Sequence, residues 1–225
     1  MDSRSSIVAA LLMTLAAACS VPERGSTERF TASGEMIALS GGDAGAANAC
    51  LTCHGVDGLG DGGGVPRLAG LSAGYLDAQL GAYADGRRYH ERMAWISSQL
   101  TESERIAVSR YYSALPYEPQ PAPPRAALAL YTMGDAERGM PSCASCHGLD
   151  GGGIGAGNPP LGGQPALYLA AQLHAWRDSK RRSDPNNVML NVSQRLTPAE
   201  VTALSAYAAA LPGRPDDRLF REASR

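Results

Sequence analysis

The stretch CLTCHGVDGLGDG, residues 50–62, governs how the rest of this chain is interpreted. Cys50 and Cys53 stand three residues apart, and His54 follows directly. The same arrangement returns as CASCHGLDGGGIG at residues 143–155. Residues three apart share one side of a helical turn. Each motif therefore predicts a pair of thiols on one side of a turn, with a histidine beside them.

The two motifs belong to an internal repeat. An offset of 93 carries Cys50 and His54 onto Cys143 and His147, and it also aligns the loop and the helix that follow each motif. The second copy has three extra residues near SDPNNV, at 183–188, after which the offset is 96. Self-similarity at a fixed period indicates repeated structural units. The chain therefore predicts one domain that has been duplicated.

Both copies are predicted to be helical, with loops rich in glycine and proline. Residues 73–86 and 166–179 carry apolar side chains at helical spacing. A third helix in each copy opens on a capping box, TESE at 101–104 and TPAE at 197–200. No alternating strand pattern is present, so the predicted fold is all-α, with two tandem domains.

The predicted organisation has six segments. Five prolines between residues 116 and 124 favour a stiff, extended spacer between the copies. The segments are a signal peptide (1–18), a flexible tether (19–35), the first domain (36–117), a proline-rich linker (118–124), the second domain (125–213) and a polar tail (214–225).

Four chemistries compete for the CxxCH motifs. A zinc site uses CxxC pairs but leaves the adjoining histidine without a role. A disulfide framework suits an exported chain, yet CxxC pairs in helices are poor staples, and a thioredoxin-like site requires a βαβ pattern. Covalent haem attachment uses all three residues, because the thiols bond the haem and the imidazole binds its iron. We therefore predict two haem c groups, at Cys50, Cys53 and His54 and at Cys143, Cys146 and His147.

A matched pair of methionines provides the predicted sixth iron ligands. Met93 and Met189 correspond at the offset of 96, and each is expected in a loop just before the capped third helix. The alternative is a methionine that simply packs in the core. His90 and His174 have no histidine at the corresponding position of the other copy, so surface or packing roles are favoured over ligation.

The N-terminus predicts export. Arg4 precedes an apolar run over residues 7–18, which is too short to span a bilayer but suits a signal core. The small residues before Cys19 resemble a bacterial lipobox, and an ordinary signal-peptidase site is the alternative. By resemblance to the bacterial sorting rule, Ser20 favours the outer membrane. We predict a periplasmic protein that is tethered to a membrane through lipidated Cys19.

Taken together, the chain resembles the di-haem class I cytochromes c of the cytochrome c4 type. The resemblance covers residues 36–213 and rests on CLTCHG, CASCHG, PRLAG, PPLGGQ, the YL and QL pairs of the helices, Met93 and Met189. It implies two cytochrome c folds, His/Met ligation of both haems, and electron transfer in the periplasm toward a terminal oxidase. Leu71 stands where the second copy has Gln164, so the two copies are not identical around their haems.

The resemblance also implies roles for further residues. The carbonyls of Pro66 and Pro159 are candidates to orient the ligand histidines, with a plain loop proline as the alternative. Arg88 and Arg181 either meet haem propionates or are solvated surface arginines. The expected partners are redox proteins, namely a donor complex and a terminal oxidase or reductase. The net charge of −2 gives no reason to expect nucleic acid.

With both axial positions of each iron filled, the predicted role is electron transfer and not catalysis. An electron-accepting subunit of a dehydrogenase or of a sulfur-oxidising complex shares all these motifs and remains the main alternative. A di-haem peroxidase is a weaker alternative, because it needs acid–base groups near an open iron, and the sequence identifies none.

Overall fold

The computed structural model describes residues 33–118, 128–155 and 157–213. Within these ranges the chain forms α-helices, short 3₁₀ turns and two isolated bridges, and it has no extended strand. The predicted all-α fold is therefore confirmed. No helix of the described part is both long and apolar enough to cross a membrane.

Several predicted segments lie wholly or largely outside the described residues. They are the signal peptide, Cys19 with most of the tether, the linker after residue 118, and the tail. The boundaries of the six segments stay predictions. The first helix begins at Gly34, slightly before the expected start of the first domain at residue 36.

Each copy contributes five α-helices. Those of the first copy are α1 (Gly34–Ser40), α2 (Leu51–His54), α3 (Ala73–Ala84), α4 (Glu91–Gln99) and α5 (Glu102–Ala114). Those of the second copy are α6 (Ala129–Met133), α7 (Ala144–His147), α8 (Ala166–Arg177), α9 (Val188–Arg195) and α10 (Pro198–Ala209). Helix α3 packs on α4 and α5, and α8 packs on α9 and α10 in the same way.

Both predicted capping boxes are present. The backbone N–H of Thr101 donates to the Glu104 carboxylate at 2.8 Å, and the Thr101 hydroxyl accepts from the Glu104 N–H. Thr197 and Glu200 repeat both bonds at the start of α10. These bonds satisfy backbone donors that have no partner within the helix.

Each copy has its own apolar core. In the first copy it consists of Ile37, Ala38, Leu71, Leu76, Leu100, Val108 and Tyr112. In the second it consists of Tyr131, Met140, Ala144, Leu169, Leu196, Val201, Leu204 and Ala208. Cys50 and Cys143 are half-buried against these two cores, so each motif helix is anchored within its own domain.

One local prediction is wrong: Met93 and Met189 lie in helices, not in loops. Met93 is in α4 and Met189 is in α9. The side chains of Met93 and Ile96 in α4, and of Leu100 directly after it, recur at helical spacing, with Ile96 and Leu100 buried. This pattern is short and is interrupted by polar residues, and the segment forms a helix that packs on α3.

Candidate functional site

The two CxxCH motifs form matching single helical turns. The His54 N–H donates to the Cys50 carbonyl at 2.9 Å, and the His147 N–H donates to the Cys143 carbonyl at 2.8 Å. All four motif cysteines are free thiols and half-buried. Burial raises the pKa of both Cys50 and Cys143 to about 11, so these thiols are protonated at neutral pH.

Both motif histidines are oriented by a proline carbonyl. His54 Nδ1 lies 3.0 Å from the Pro66 oxygen, and His147 Nδ1 lies 2.9 Å from the Pro159 oxygen. Because a carbonyl oxygen only accepts hydrogen bonds, Nδ1 carries the proton in both rings and Nε2 keeps its lone pair. The predicted contacts between the two proline carbonyls and the motif histidines are confirmed.

The electrostatic environment keeps both imidazoles neutral. Burial lowers the pKa of His54 and His147 below the ordinary value, and the hydrogen bond to the proline carbonyl opposes this shift only in part. A neutral imidazole with a free Nε2 is the form in which histidine binds a metal. The described residues contain no group of three or more His, Cys, Asp or Glu side chains that could share a metal ion.

The start of the Met93 helix lies beside the segment that leads into the first motif. A groove of about 770 Å³ is lined by Asn48 on one side and by Tyr89, His90, Glu91, Arg92 and Trp95 on the other. His90 is exposed and caps α4, because its Nδ1 accepts a hydrogen bond from the Met93 N–H at 3.3 Å. This capping bond gives His90 a structural role in the described fold.

The Met189 helix is held by a carboxylate. One Asp184 oxygen accepts from the Met189 N–H at 2.7 Å, and the other accepts from the Trp176 indole N–H at 2.9 Å. Asp184 belongs to the three-residue insertion region, so the insertion ties α9 to α8. His174 is exposed on α8, as its predicted surface role requires.

Arg88 and Arg181 are buried where the two copies meet, so the solvated-surface alternative is wrong. They are 4% and 3% exposed, and they face each other in an isolated antiparallel bridge. The Gln79 side-chain oxygen accepts from both guanidinium groups, at 3.0 and 2.9 Å, and the Gln172 oxygen does so at 2.7 and 2.9 Å. We call these four residues the arginine network.

Two tyrosines extend the arginine network across the contact. Arg88 donates to the Tyr168 hydroxyl at 2.9 Å, and Arg181 donates to the Tyr75 hydroxyl at 3.1 Å. Every member of this set maps onto its partner at the offset of 93, so the contact has approximate twofold symmetry. The sequence shows these positions as repeated, but a repeat alone does not distinguish a domain contact from a helix core.

The arginine network has a charge that the polypeptide does not balance. Among the described residues, Arg88 and Arg181 take part in no salt bridge. Two buried cations so close together are costly without counter-charges. A haem carries two propionates, and arginine is the residue best suited to bind carboxylates. The network, the free thiol pairs and the oriented Nε2 atoms therefore fit haem c.

Comparison with known proteins agrees with this geometry. The sequence model of the cytochrome c family, described as "Cytochrome c", matches residues 40–115 and 129–211. The chain belongs to the cytochrome c family. As a cytochrome c of the di-haem cytochrome c4 type, it binds haem c covalently and carries electrons. The two matched segments each contain one CxxCH turn and one methionine helix.

Three similar proteins show where this cytochrome stands in the family. A "Thiosulfate dehydrogenase electron acceptor" of Stutzerimonas stutzeri (strain A1501) is 40% identical, over 81% of this chain and 88% of the relative. The structure of thiosulfate dehydrogenase (TsdBA) from Marichromatium purpuratum is 40% identical, with a TM-score of 0.70 over 82% of this chain. The structure of reduced recombinant cytochrome c4 from Pseudomonas stutzeri is 30% identical, with a TM-score of 0.65, over 72% of this chain and 93% of that one.

The coverage differs between these matches. The chain spans 41% of the Marichromatium thiosulfate dehydrogenase chain, so the similarity concerns only part of that protein. It spans most of the Stutzerimonas electron acceptor and of the Pseudomonas cytochrome c4. The similarity therefore concerns an electron-carrying unit made of two cytochrome c domains.

Proposed function

We propose that each domain holds one haem c between a histidine and a methionine. The first site consists of Cys50, Cys53, His54 and Met93, and the second of Cys143, Cys146, His147 and Met189. Bound haem supplies a one-electron Fe(III)/Fe(II) couple, and a thioether ligand favours the reduced state. The cysteine thiols would bond the haem, His54 and His147, oriented by the carbonyls of Pro66 and Pro159, would bind its iron, and Met93 and Met189 would supply the thioether ligands.

The arginine network is proposed to receive the haem propionates. Its two guanidinium groups are buried, face each other and lack acidic partners among the described residues. Placed where the copies meet, they would draw the propionate edges of both haems toward the domain contact. Such an arrangement brings the two redox centres near each other and supports electron exchange between the domains.

The favoured electron donor is a thiosulfate dehydrogenase. The observation that carries this proposal is the 40% identity with a thiosulfate dehydrogenase electron acceptor over 88% of that relative, against 30–36% for cytochrome c4 relatives. In this role the protein accepts single electrons and passes them to a later acceptor. A shuttle between respiratory donors and a terminal oxidase or reductase is the second candidate, supported by the cytochrome c4 similarity.

Stopped-flow kinetics would test the donor. The oxidised holo protein is mixed with thiosulfate and a catalytic amount of thiosulfate dehydrogenase, and reduction is followed by absorbance. We expect complete reduction of both haems, and no reduction when thiosulfate is omitted. The rate of reduction is compared with that of an unrelated single-haem cytochrome c under the same conditions. Equal or slower reduction of this protein would contradict thiosulfate dehydrogenase as its donor and would favour the respiratory shuttle.

The proposed location is the periplasm, with a lipid anchor on Cys19. The support is the signal-like N-terminus and the lipobox-like residues before Cys19. A mass spectrum of the mature protein purified from membranes would test it. We expect a diacylglyceryl-modified N-terminal Cys19, whereas an unmodified terminus or a soluble protein would contradict the anchor.

A further inference from the structure

A buried contact between the copies breaks their twofold symmetry. The Arg67 N–H donates to the Gln164 side-chain oxygen at 3.1 Å, and the Gln164 amide donates back to the Arg67 carbonyl at 2.9 Å. Arg67 and Gln164 are 2% and 5% exposed. A side-chain amide of the second domain is thus paired with the backbone of the first through two reciprocal hydrogen bonds.

The peptide group that Gln164 contacts is the one that orients His54. The Pro66 carbonyl, which accepts from His54 Nδ1 at 3.0 Å, belongs to the same peptide plane as the Arg67 N–H. Two linked hydrogen bonds therefore connect the Gln164 side-chain oxygen, through this peptide group, to the His54 imidazole. A peptide that donates at its N–H becomes a stronger acceptor at its carbonyl, because linked hydrogen bonds polarise one another.

The corresponding positions around His147 lack both the N–H donor and the side-chain acceptor of this arrangement. The residue after Pro159 is Pro160, which has no N–H to donate. The residue that corresponds to Gln164 in the first copy is Leu71, which has no polar atom in its side chain and is buried in the core. His147 therefore donates to a carbonyl that no inter-domain hydrogen bond polarises.

The side chain of Arg67 makes further contacts beside this pair of hydrogen bonds. Its guanidinium lies 3.7 Å from the centre of the Tyr117 ring and donates to the Gly162 carbonyl at 3.1 Å. The Tyr117 hydroxyl lies so close to Gly163 that a β-carbon there would overlap with it. We call Arg67, Gln164, Gly162 and Tyr117 the Gln164 clasp.

We infer that Gln164 is a positioning residue that lowers the reduction potential of the first haem by polarising the Pro66–Arg67 peptide. A more polarised carbonyl makes the His54 imidazole more basic, which stabilises ferric iron. The second haem receives no such contribution. This inference rests on the proposed function, because it takes His54 as the iron ligand. It makes the potential of one haem depend on the contact with the other domain.

The test is potentiometry on the full-length holo protein, with haem methyl resonances used to follow each haem separately. In Gln164→Met the volume is nearly kept while both hydrogen bonds are lost. We expect the equilibrium constant for one-electron exchange between the haems to shift at least threefold toward reduction of the first haem. The potential of the second haem should stay unchanged. Hydrogen exchange of the Arg67 amide should accelerate in the same variant.

A matched control separates polarisation from loosening of the contact. Tyr117→Leu removes the aromatic contact with the Arg67 guanidinium but neither partner of the Gln164–Arg67 backbone hydrogen bonds, so we expect it to leave the exchange equilibrium unshifted. No shift in Gln164→Met, an equal shift of both haems, or the same shift in Tyr117→Leu would each overturn the inference. The proposed function is tested separately by the spectrum of the wild-type protein. A first haem that lacks the low-spin spectrum expected for histidine ligation would contradict it.

Discussion

The two domains hold their histidines alike and their methionine helices differently. In both, a proline carbonyl accepts from the histidine Nδ1 at about the same distance, 3.0 and 2.9 Å. The helix of Met93 is capped by the exposed His90 alone, whereas Asp184 anchors the helix of Met189 to Trp176 as well. The contacts that orient the motif histidines are the same in both copies, whereas the contacts that anchor the methionine helices differ.

The N-terminal supports of the domains also differ. In the first domain, α1 packs on α5, with Gly34 against the Ala107 carbonyl. In the second, Arg138 forms salt bridges to Asp135 at 2.6 Å and to Glu200 in α10 at 2.8 Å. Both copies attach the segment before the motif to the last helix by packing, which in the second copy places the Tyr131 ring 5.1 Å from the Tyr207 ring. The second copy adds the salt bridges of Arg138 to this packed contact.

The largest expected effect comes from breaking the part that the domains share. Met93→Ala and Met189→Ala should each open one iron to carbon monoxide while the other stays closed, because each methionine is proposed to fill one axial position. Absorbance spectra of the reduced variants under carbon monoxide would show half of the haem responding. Response of both haems in either single variant would contradict the assignment of one methionine per domain.

A smaller effect should separate the two methionine helices. Asp184→Ala removes the acceptor for the Met189 N–H and the Trp176 indole N–H, and we expect a loss of about 1–3 kcal/mol in the stability of the second domain. His90→Ala removes the exposed N-cap of α4 and should lower the stability of the first domain by about 0.5–1 kcal/mol. Chemical denaturation followed at each haem would measure both. The reverse order would contradict the stronger anchoring of Met189.

The packed support of the first domain can be tested by Gly34→Ala. A β-carbon at Gly34 would overlap with the Ala107 carbonyl, so α1 must move away from α5. Forcing extra volume into a packed contact costs about 1–3 kcal/mol. Thermal unfolding should show a less stable first domain and an unchanged second domain. Gly81→Ala is a suitable control, because a β-carbon there meets no neighbouring atom.

The charged support of the second domain should be sensitive to acid. The hydrogen bonds from Arg138, followed by those from Thr197, lower the pKa of Glu200 from its ordinary value of 4.5 to about 2. A lowered folded-state pKa stabilises the fold above the ordinary value, and this contribution is lost as the pH falls from about 4.5 toward about 2. Unfolding measured across this range should show the loss in the wild type. Arg138→Met should flatten it, and an unchanged acid profile would contradict the role of the salt bridge.

Much of the fold follows from local patterns in the sequence. The α3 and α8 helices and both capping boxes depend on residues close together or repeated at a fixed offset. The orientation of the histidines by the proline carbonyls is implied by the family resemblance. The sequence does not predict the helices of Met93 and Met189, because their apolar pattern is short and is completed by packing on α3 and α8. The sequence also leaves two roles open for Arg88 and Arg181, since their burial depends on the contact between the copies.

The Gln164 clasp shows the limit of local patterns most clearly. The difference between Gln164 and Leu71 is visible in the repeat, but the contact it makes joins residues 97 positions apart in the chain. A departure from an internal repeat can therefore point to a functional asymmetry, whereas the identity of the partner requires the tertiary structure. Arg67 also departs from the repeat, since the second copy has Pro160 there, but nothing in the sequence pairs it with Gln164.

The most direct test of the account is the visible spectrum of the reduced holo protein before and after addition of carbon monoxide. We expect two low-spin c-type haems per chain and a spectrum that the gas does not change, because His54, Met93, His147 and Met189 are proposed to fill both axial positions of each iron. Carbon monoxide binding at either haem in the wild type would contradict a closed electron carrier, and would point to ligand binding or catalysis at that iron.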